Sequence, residues 1–218
     1  MAKNNIKGNF KQKQTTDRPV PGKPATLPKN KTDYSLAIAV AIVVTITFVV
    51  FVPSLSLGFV NWDDPFNLLE NETLKAFATH WDWASVKAIF TTDVIGNYNP
   101  LPIFTFAIEK YLFAPNPLEH PFFFHVNNVW MHVVCTLFVF LIFTELGLGR
   151  IAAVIGALLF GIHPMRVESV AWITERKDVL YGLFFLASLY AYIRYTRNDA
   201  AKTKWYAFAL LLSVFSYF

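Results

Sequence analysis

The sequence predicts an all-α, polytopic membrane protein, and three observations carry that prediction. Of 218 residues, 55% are hydrophobic, 17% aromatic and only 16% charged, an apolar excess beyond that of a soluble domain of this size. The run Tyr34 to Val52 contains no charge over about 19 residues, enough to span the hydrocarbon core as a helix. The net charge of +4 comes from cations in an N-terminal tail and in short loops between apolar runs. That distribution sets membrane orientation and makes no basic face, so membrane lipids are expected partners and nucleic acid is not. The single cysteine, Cys135, falls inside an apolar run and has no intrachain disulfide partner.

The elements follow in order. Met1 to Asp33 holds eight Lys or Arg against Asp17 and Asp33, with prolines at 19, 21, 24 and 28, and is expected to be a disordered, basic, cytoplasmic tail. A cleaved signal peptide with Ser54-Leu55-Ser56 as its cleavage site is the rival, but both the tail and the apolar run are too long for one. The bundle is expected over residues 34 to 218, with outer loops at 53 to 124 and 164 to 178. Ile103 to Phe113, bracketed by Pro100, Pro102 and Pro115 and interrupted by Glu109 and Lys110, reads as interfacial. His125 to Phe143 and Leu146 to Ile162 read as an antiparallel pair of spans, joined by a turn containing Gly147 and Gly149. Val179 to Tyr195 reads as a fourth span. Trp205 to Phe218 begins a fifth that stops after about 14 residues, short of a crossing, so the sequence reads as an N-terminal fragment with four complete spans and a truncated fifth.

With the tail inside, Arg150, Arg194, Arg197, Lys202 and Lys204 also fall inside, as the positive-inside rule requires. Pro164 to Asp178 breaks that rule, because Arg166, Arg176 and Lys177 fall outside. An exception of this kind invites a functional explanation.

Two outer segments carry candidate chemistry. In "GFVNWDDPFNLLENETL", Asp64 precedes Pro65, which reads as a helix N-cap followed by proline at the first helical position. Asp63 has no such local explanation and is the first candidate for a general base or metal ligand. In "HPMRVESVAWITERKD", Glu168, Glu175 and Asp178 alternate with Arg166, Arg176 and Lys177. The plain reading is a solvated loop paired with itself, worth little energetically. The sharper reading is cations at headgroup depth that hold a lipid phosphate, with Glu168 as a second acid facing Asp63. His125, Asn128 and His132 share one helical face, but His132 lies roughly 10 Å deeper than His125, too far for one metal. They read as a polar stripe toward the bundle, and "NYNP" at Asn97 to Pro100 as a turn able to hydrogen-bond an acceptor. The sequence contains no phosphate-cradling glycine loop, no paired Cys-His zinc spacing and no nucleophile elbow.

Together, Asp63-Asp64, "YNPLPIFTF", "FHVNNVWMH" and above all "HPMRVESVAWITERKDVLYGLFFLASLYAYIRY" make the chain resemble the membrane part of bacterial tetratricopeptide-repeat membrane proteins. These are similar to the transmembrane-and-tetratricopeptide-repeat O-mannosyltransferases of the GT-C class. The resemblance covers roughly Gly58 to Phe218 and implies a GT-C-like helical bundle in a bacterial inner membrane. It also implies inverting transfer from a polyprenyl-phosphate sugar to an extracytoplasmic protein or glycan hydroxyl. Carried over by position, Asp63 and Asp64 match the family's outer-loop acid, and Glu168, Arg176, Lys177 and Asp178 match its second outer-loop motif. With the reading of the residues above, Asp63, Asp64 and Glu168 are the catalytic candidates, and Arg166, Arg176 and Lys177 the donor-phosphate ligands. His125, Asn128, His163 and Asp178 are in supporting roles, and a divalent Mg or Mn would rest on Asp63. A fragment lacking later spans and repeats is expected to be inactive alone. Two rivals stand beside this reading: a non-enzymatic anchor for a downstream repeat domain, and a transporter of lipid-linked sugar. The nearly uncharged span interiors weigh against the transporter.

Overall fold

The computed structural model describes residues 34–79, 81–113, 121–197 and 201–217. The expectation of a disordered tail over Met1 to Asp33 lies outside the described residues. Among those described, every regular element is helical: α1 (Tyr34–Phe51), α2 (Glu72–Thr79), α3 (Trp83–Ile89), α4 (Pro100–Leu112), α5 (Pro121–Glu145), α6 (Arg150–Gly161), α7 (Val167–Ala171), α8 (Arg176–Arg197) and α9 (Lys202–Phe215).

The expected four complete spans and a truncated fifth are not what forms. Among the described residues two helices are long and apolar enough to cross a membrane, Tyr34–Ser56 and Pro121–Glu145. The count rises to three if Arg150–Gly161 and Pro164–Ala171, bent by 50° at their junction, make one broken span. The bend falls at Pro164, which has no N–H to continue the helix, while His163 before it is extended. Helix α8 fails because Arg176, Lys177, Asp178, Arg194 and Arg197 confine its uncharged stretch to residues 179–193, and Ser188 and three tyrosines dilute that stretch further. Helix α9 has only 14 residues. Apolar runs bounded by charge thus form helices without each reaching the length of a crossing.

Cross-contacts sort the helix ends into two groups. At one end, Arg150 hydrogen-bonds Ser35, while Glu145 meets Arg194 at 2.8 Å and Arg197 at 3.7 Å. At the other, His125 Nε2 donates to the Leu57 carbonyl (3.0 Å) and Asn128 reaches the segment after α7. Between them the bundle closes by apolar packing: Ala39 and Val43 of α1 against Val139 and Phe140 of α5 and Ala153 and Ala157 of α6. Small residues allow this approach. A Cβ added at Gly161 would stand 2.8 Å from both Thr136 Oγ1 and Thr47 Oγ1, so α1, α5 and α6 meet there with no room for a side chain. Helix α9 runs back along α8, with Ser188 Oγ on the Ala209 carbonyl (2.8 Å) and Phe184 against Phe215.

The loop between α1 and α5 is a small packed unit with its own core. Leu68, Leu74, Phe77, Ile89, Ile103, Phe106 and Ala107 are buried with Phe124 of α5 and Ile173, so this unit sits directly on the α5 start and the segment between α7 and α8. Helix α3 is capped by Asp82, which accepts from the Ser85 amide (2.8 Å).

Candidate functional site

The two aspartates separate sharply. Asp64 is fully buried and does not cap the turn that follows it. The capping role expected of it is overturned: its Oδ2 accepts from the Val60 amide (2.7 Å), and its Oδ1 from Trp172 Nε1 (2.9 Å) and Thr174 Oγ1 (2.7 Å). A carboxylate with three donors is well compensated for burial. Asp64 therefore clasps the first outer segment to the second. Asp63 keeps a half-buried side chain, and its backbone carbonyl accepts from Asn67 through both the amide N–H (2.9 Å) and Nδ2 (3.0 Å). Asp63 lines a small cleft with Asn67, Asn97, Asn99, Thr174 and Lys177, of about 20 Å³.

Arg176 is also fully buried, and it is spent on the protein. Its guanidinium donates to Asn128 Oδ1 (2.7 Å), Thr105 Oγ1 (3.2 Å), the Phe124 carbonyl (2.9 Å) and the Glu109 carboxylate, and it lies 4.2 Å over the Phe106 ring. Four of its five N–H donors have partners. It is not positioned to reach a ligand phosphate. Burial pushes the Glu109 carboxyl above its ordinary value, and the charge and hydrogen bond of Arg176 pull it back. Asn128 completes the bracket by donating Nδ2 to the carbonyls of Trp172 and Ile173, both at 3.2 Å. This pins the chain just ahead of Lys177 from two sides, through Asp64 and Thr174 on one and Asn128 and Arg176 on the other.

Lys177 is half-buried, pairs with Glu175 (2.8 Å) and lines the cleft with Asp63. It also lines an adjoining cleft with Asn99, Asp178, Tyr181 and Tyr217. Asp178 and Tyr181 in turn line a larger cavity of about 420 Å³, with Arg166 and Ser169 and an apolar wall of Cys135, Phe160, Val179, Phe185 and Leu186. Asp63, Lys177, Asp178 and Arg166 thus follow one another along three adjoining hollows. Arg166 stacks over Phe160 at 4.4 Å, and Ser169 Oγ donates to Asp178 (2.9 Å). Glu168 is exposed on α7 and does not line the cleft with Asp63. His163 accepts at Nδ1 from the Met165 amide (3.2 Å) as a turn cap. His125 and Asn128 serve packing at the α5 start, as a polar stripe facing the bundle would.

Sequence reasoning missed Glu109, Thr105, Trp172 and Thr174. Two anomalies in the sequence point to the first of these: an acid inside an apolar aromatic segment, and an arginine that breaks the charge pattern expected from the positive-inside rule. Each explains the other. Among the described residues no three His, Cys, Asp or Glu side chains converge as a metal site. Both Asp64 oxygens are committed, so a divalent ion would rest on Asp63 and oxygens of the substrate, as hard cations bound beside phosphates commonly do.

No family model matches the chain, and no solved structure matches it. It is similar to named proteins: 28% identical over 186 residues to the mouse protein O-mannosyl-transferase TMTC3, covering 81% of this chain and 19% of that protein. It is 33% identical over 196 residues to human protein O-mannosyl-transferase TMTC4, covering 80% and 25%. With mouse protein O-mannosyl-transferase TMTC1 it shares 33% over 172 residues, covering 70% and 17%. The chain spans a quarter or less of the length of these curated relatives. Over most of its own length, the chain is similar to a minor part of proteins called protein O-mannosyl-transferases.

Proposed function

We propose that this chain is the membrane-embedded, site-bearing part of a glycosyltransferase of the GT-C class. It would transfer a sugar, mannose by analogy with its relatives' names, from a polyprenyl-phosphate donor to a protein hydroxyl outside the cytoplasm. The single observation that carries the reading is that Asp63 and Lys177 line one cleft, while Asp64 and Arg176, their sequence neighbours, are locked into the interior. One acid and one lysine, the latter also paired with Glu175, are left lining a common space, which suits base and leaving-group chemistry. The acceptor O–H gives its proton to the Asp63 carboxylate as the oxygen attacks the anomeric carbon. The bond from that carbon to the phosphate oxygen breaks on the opposite face, inverting the centre, and its electron pair leaves with the phosphate. Lys177, with Arg166 further along, stabilises the charge that gathers there. A divalent ion held by Asp63 and the donor phosphate would supply further charge stabilisation.

Lys177→Gln keeps the length and hydrogen bonding of the side chain but removes its charge. In the full-length protein supplied with polyprenyl-phosphate mannose, it is expected to raise the donor KM about tenfold, the scale of one charge-assisted contact. An unchanged donor KM would remove Lys177 from the site.

The orientation that suits this reading puts the N-terminal tail and the end holding Glu145 and Arg150 in the cytoplasm, with Asp63 outside. A bacterial inner membrane, and tetratricopeptide repeats elsewhere in the protein, belong to the same proposal. Asn67→Cys is expected to react with an impermeant thiol reagent in intact cells, and Gln12→Cys is not. The reverse pattern would put the site on the wrong side for an extracytoplasmic acceptor.

A further inference from the structure

Asn97 and Asn99 have polar side chains that the fold does not use. Asn99 stands at the N-cap of α4, a position where asparagine normally bonds the second or third helical N–H, yet its side chain makes no capping bond. Pro102 at the third helical position has no N–H to cap, and the Leu101 N–H at the second is not bonded by Asn99 either. Asn97 is presented by a tight turn in which the Val94 amide donates to the Asn97 carbonyl (3.0 Å) and the Asn97 amide to the Val94 carbonyl (2.9 Å). Within it Ile95 takes φ 53°, a left-handed conformation that a β-branched residue rarely adopts, followed by Gly96 at φ 73°. Tyr98 between them is tied by its hydroxyl to the Phe90 carbonyl (2.9 Å). The segment is thus held firmly while its two asparagine amides make no hydrogen bond among the described residues. The third cleft asparagine differs, since Asn67 Nδ2 is committed to the Asp63 carbonyl.

Both asparagines line the cleft that holds Asp63, Thr174 and Lys177. At about 20 Å³ the enclosed part of that cleft holds roughly one water or hydroxyl, so the sugar of a donor would sit at its mouth. An acceptor therefore inserts only its reacting hydroxyl, and the rest of it lies across the rim, where Asn97 is exposed and Asn99 half-buried. A primary amide offers one acceptor and two donors, the complement of a peptide N–H and C=O. The two asparagines are two residues apart in chain that belongs to no helix, at most about 7 Å. The same spacing separates successive like-facing groups of an extended peptide.

We infer that Asn97 and Asn99 form a peptide-binding edge that holds the main chain of an extended acceptor while its Ser or Thr hydroxyl enters the cleft at Asp63. The inference rests on the transferase reading above and adds to it the acceptor subsite. A glycan acceptor presents hydroxyls without a regular N–H and C=O ladder and matches this edge less well.

The test uses the full-length protein in nanodiscs and a fluorescein-labelled heptapeptide with one central Thr flanked by Ala, read by fluorescence anisotropy. The double variant Asn97→Ala with Asn99→Ala is expected to weaken peptide binding about tenfold or more, as loss of two or more hydrogen bonds implies. A peptide N-methylated on both sides of Thr should lose a comparable factor, and the Asn variants should then add little. Asn99→Ala alone should leave the thermal midpoint unchanged, because no cap is lost. No binding of the peptide by the unmodified protein, an unchanged Kd in the double variant, or an Asn-dependent gain of labelled mannotetraose over peptide would each overturn the inference. If Asp63→Asn abolishes transfer while the Asn double variant keeps the unmodified acceptor KM, the transferase reading stands and this subsite falls. If peptide binding depends on the Asn pair while Asp63→Asn transfers at the full rate, the transferase assignment of Asp63 is what fails.

Discussion

Asp63→Asn is expected to reduce transfer by the full-length protein on the order of 100-fold or more while leaving its thermal midpoint unchanged. Asp63 lines the cleft, and its carboxylate makes no hydrogen bond among the described residues, so replacing it removes a base and leaves packing intact. The residue beside it should give the opposite result. Asp64 accepts three hydrogen bonds on its two oxygens from groups on both outer segments. An asparagine there has one acceptor oxygen and turns an N–H toward donors that need an acceptor, leaving buried groups unpaired. Asp64→Asn should therefore lose stability, by about 1–3 kcal/mol, with any loss of transfer following from misplacement of the Thr174 to Lys177 segment. Measuring transfer and thermal unfolding on both variants separates the two roles. Full transfer by Asp63→Asn at normal expression would instead favour a non-enzymatic anchor. A stable, active Asp64→Asn would show that the clasp is not needed.

Arg176→Met is expected to cause the largest loss of stability of any single change at the site. It removes the partner of Glu109 in a place from which both are excluded from water, and it strands Asn128 Oδ1 and the Phe124 carbonyl as well. Breaking a buried pair from one side costs about 3–5 kcal/mol, because the remaining charge is left uncompensated. For a chain of this size that is a fall of roughly 6–20 °C in thermal midpoint. Burial already pushes the Glu109 carboxyl upward, and without Arg176 the charge and hydrogen bond that pull it back are gone. Adding Glu109→Met to Arg176→Met should restore part of the loss, since two apolar side chains of similar volume leave no orphaned charge. Thermal unfolding of the single and double variants in detergent checks this. A midpoint within about 2 °C of the unmodified protein for Arg176→Met would return that residue to the pool of ligand-binding cations.

The pairing of Arg176 with Glu109 shows what could be read in advance and what could not. Both residues are visible as exceptions, one breaking the inside-positive pattern and one interrupting an apolar segment. Nothing in their local sequence says that the two meet across 67 positions, because contact between α4 and α8 depends on how the outer unit settles on the start of α5. Asp64 went astray for a related reason. Its local grammar, Asp before Pro, predicts a cap, but Trp172 and Thr174 compete for the same oxygens and win because burial makes unpaired donors costly. Spans fared similarly. The long apolar run of α1 and that of α5 are plain in the sequence, α6 reaches the length of a crossing only together with the bent segment after it, and the hydrophobicity of α8 and α9 suggests crossings that their charges, tyrosines and lengths do not sustain.

The sequence by itself determined that the chain is helical and built around membrane-length apolar helices, and that its polar chemistry gathers in two segments around Asp63 and Lys177. Those are properties of composition and period, which local hydrophobic and helical preferences decide residue by residue. Only the tertiary structure decided which charges face outward. Asp63 and Asp64, and likewise Arg176 and Lys177, are identical or similar in charge and adjacent in sequence. One of each pair is consumed in joining the outer unit to the bundle and the other is left at the cleft, because a buried charge survives only where distant groups converge to satisfy it.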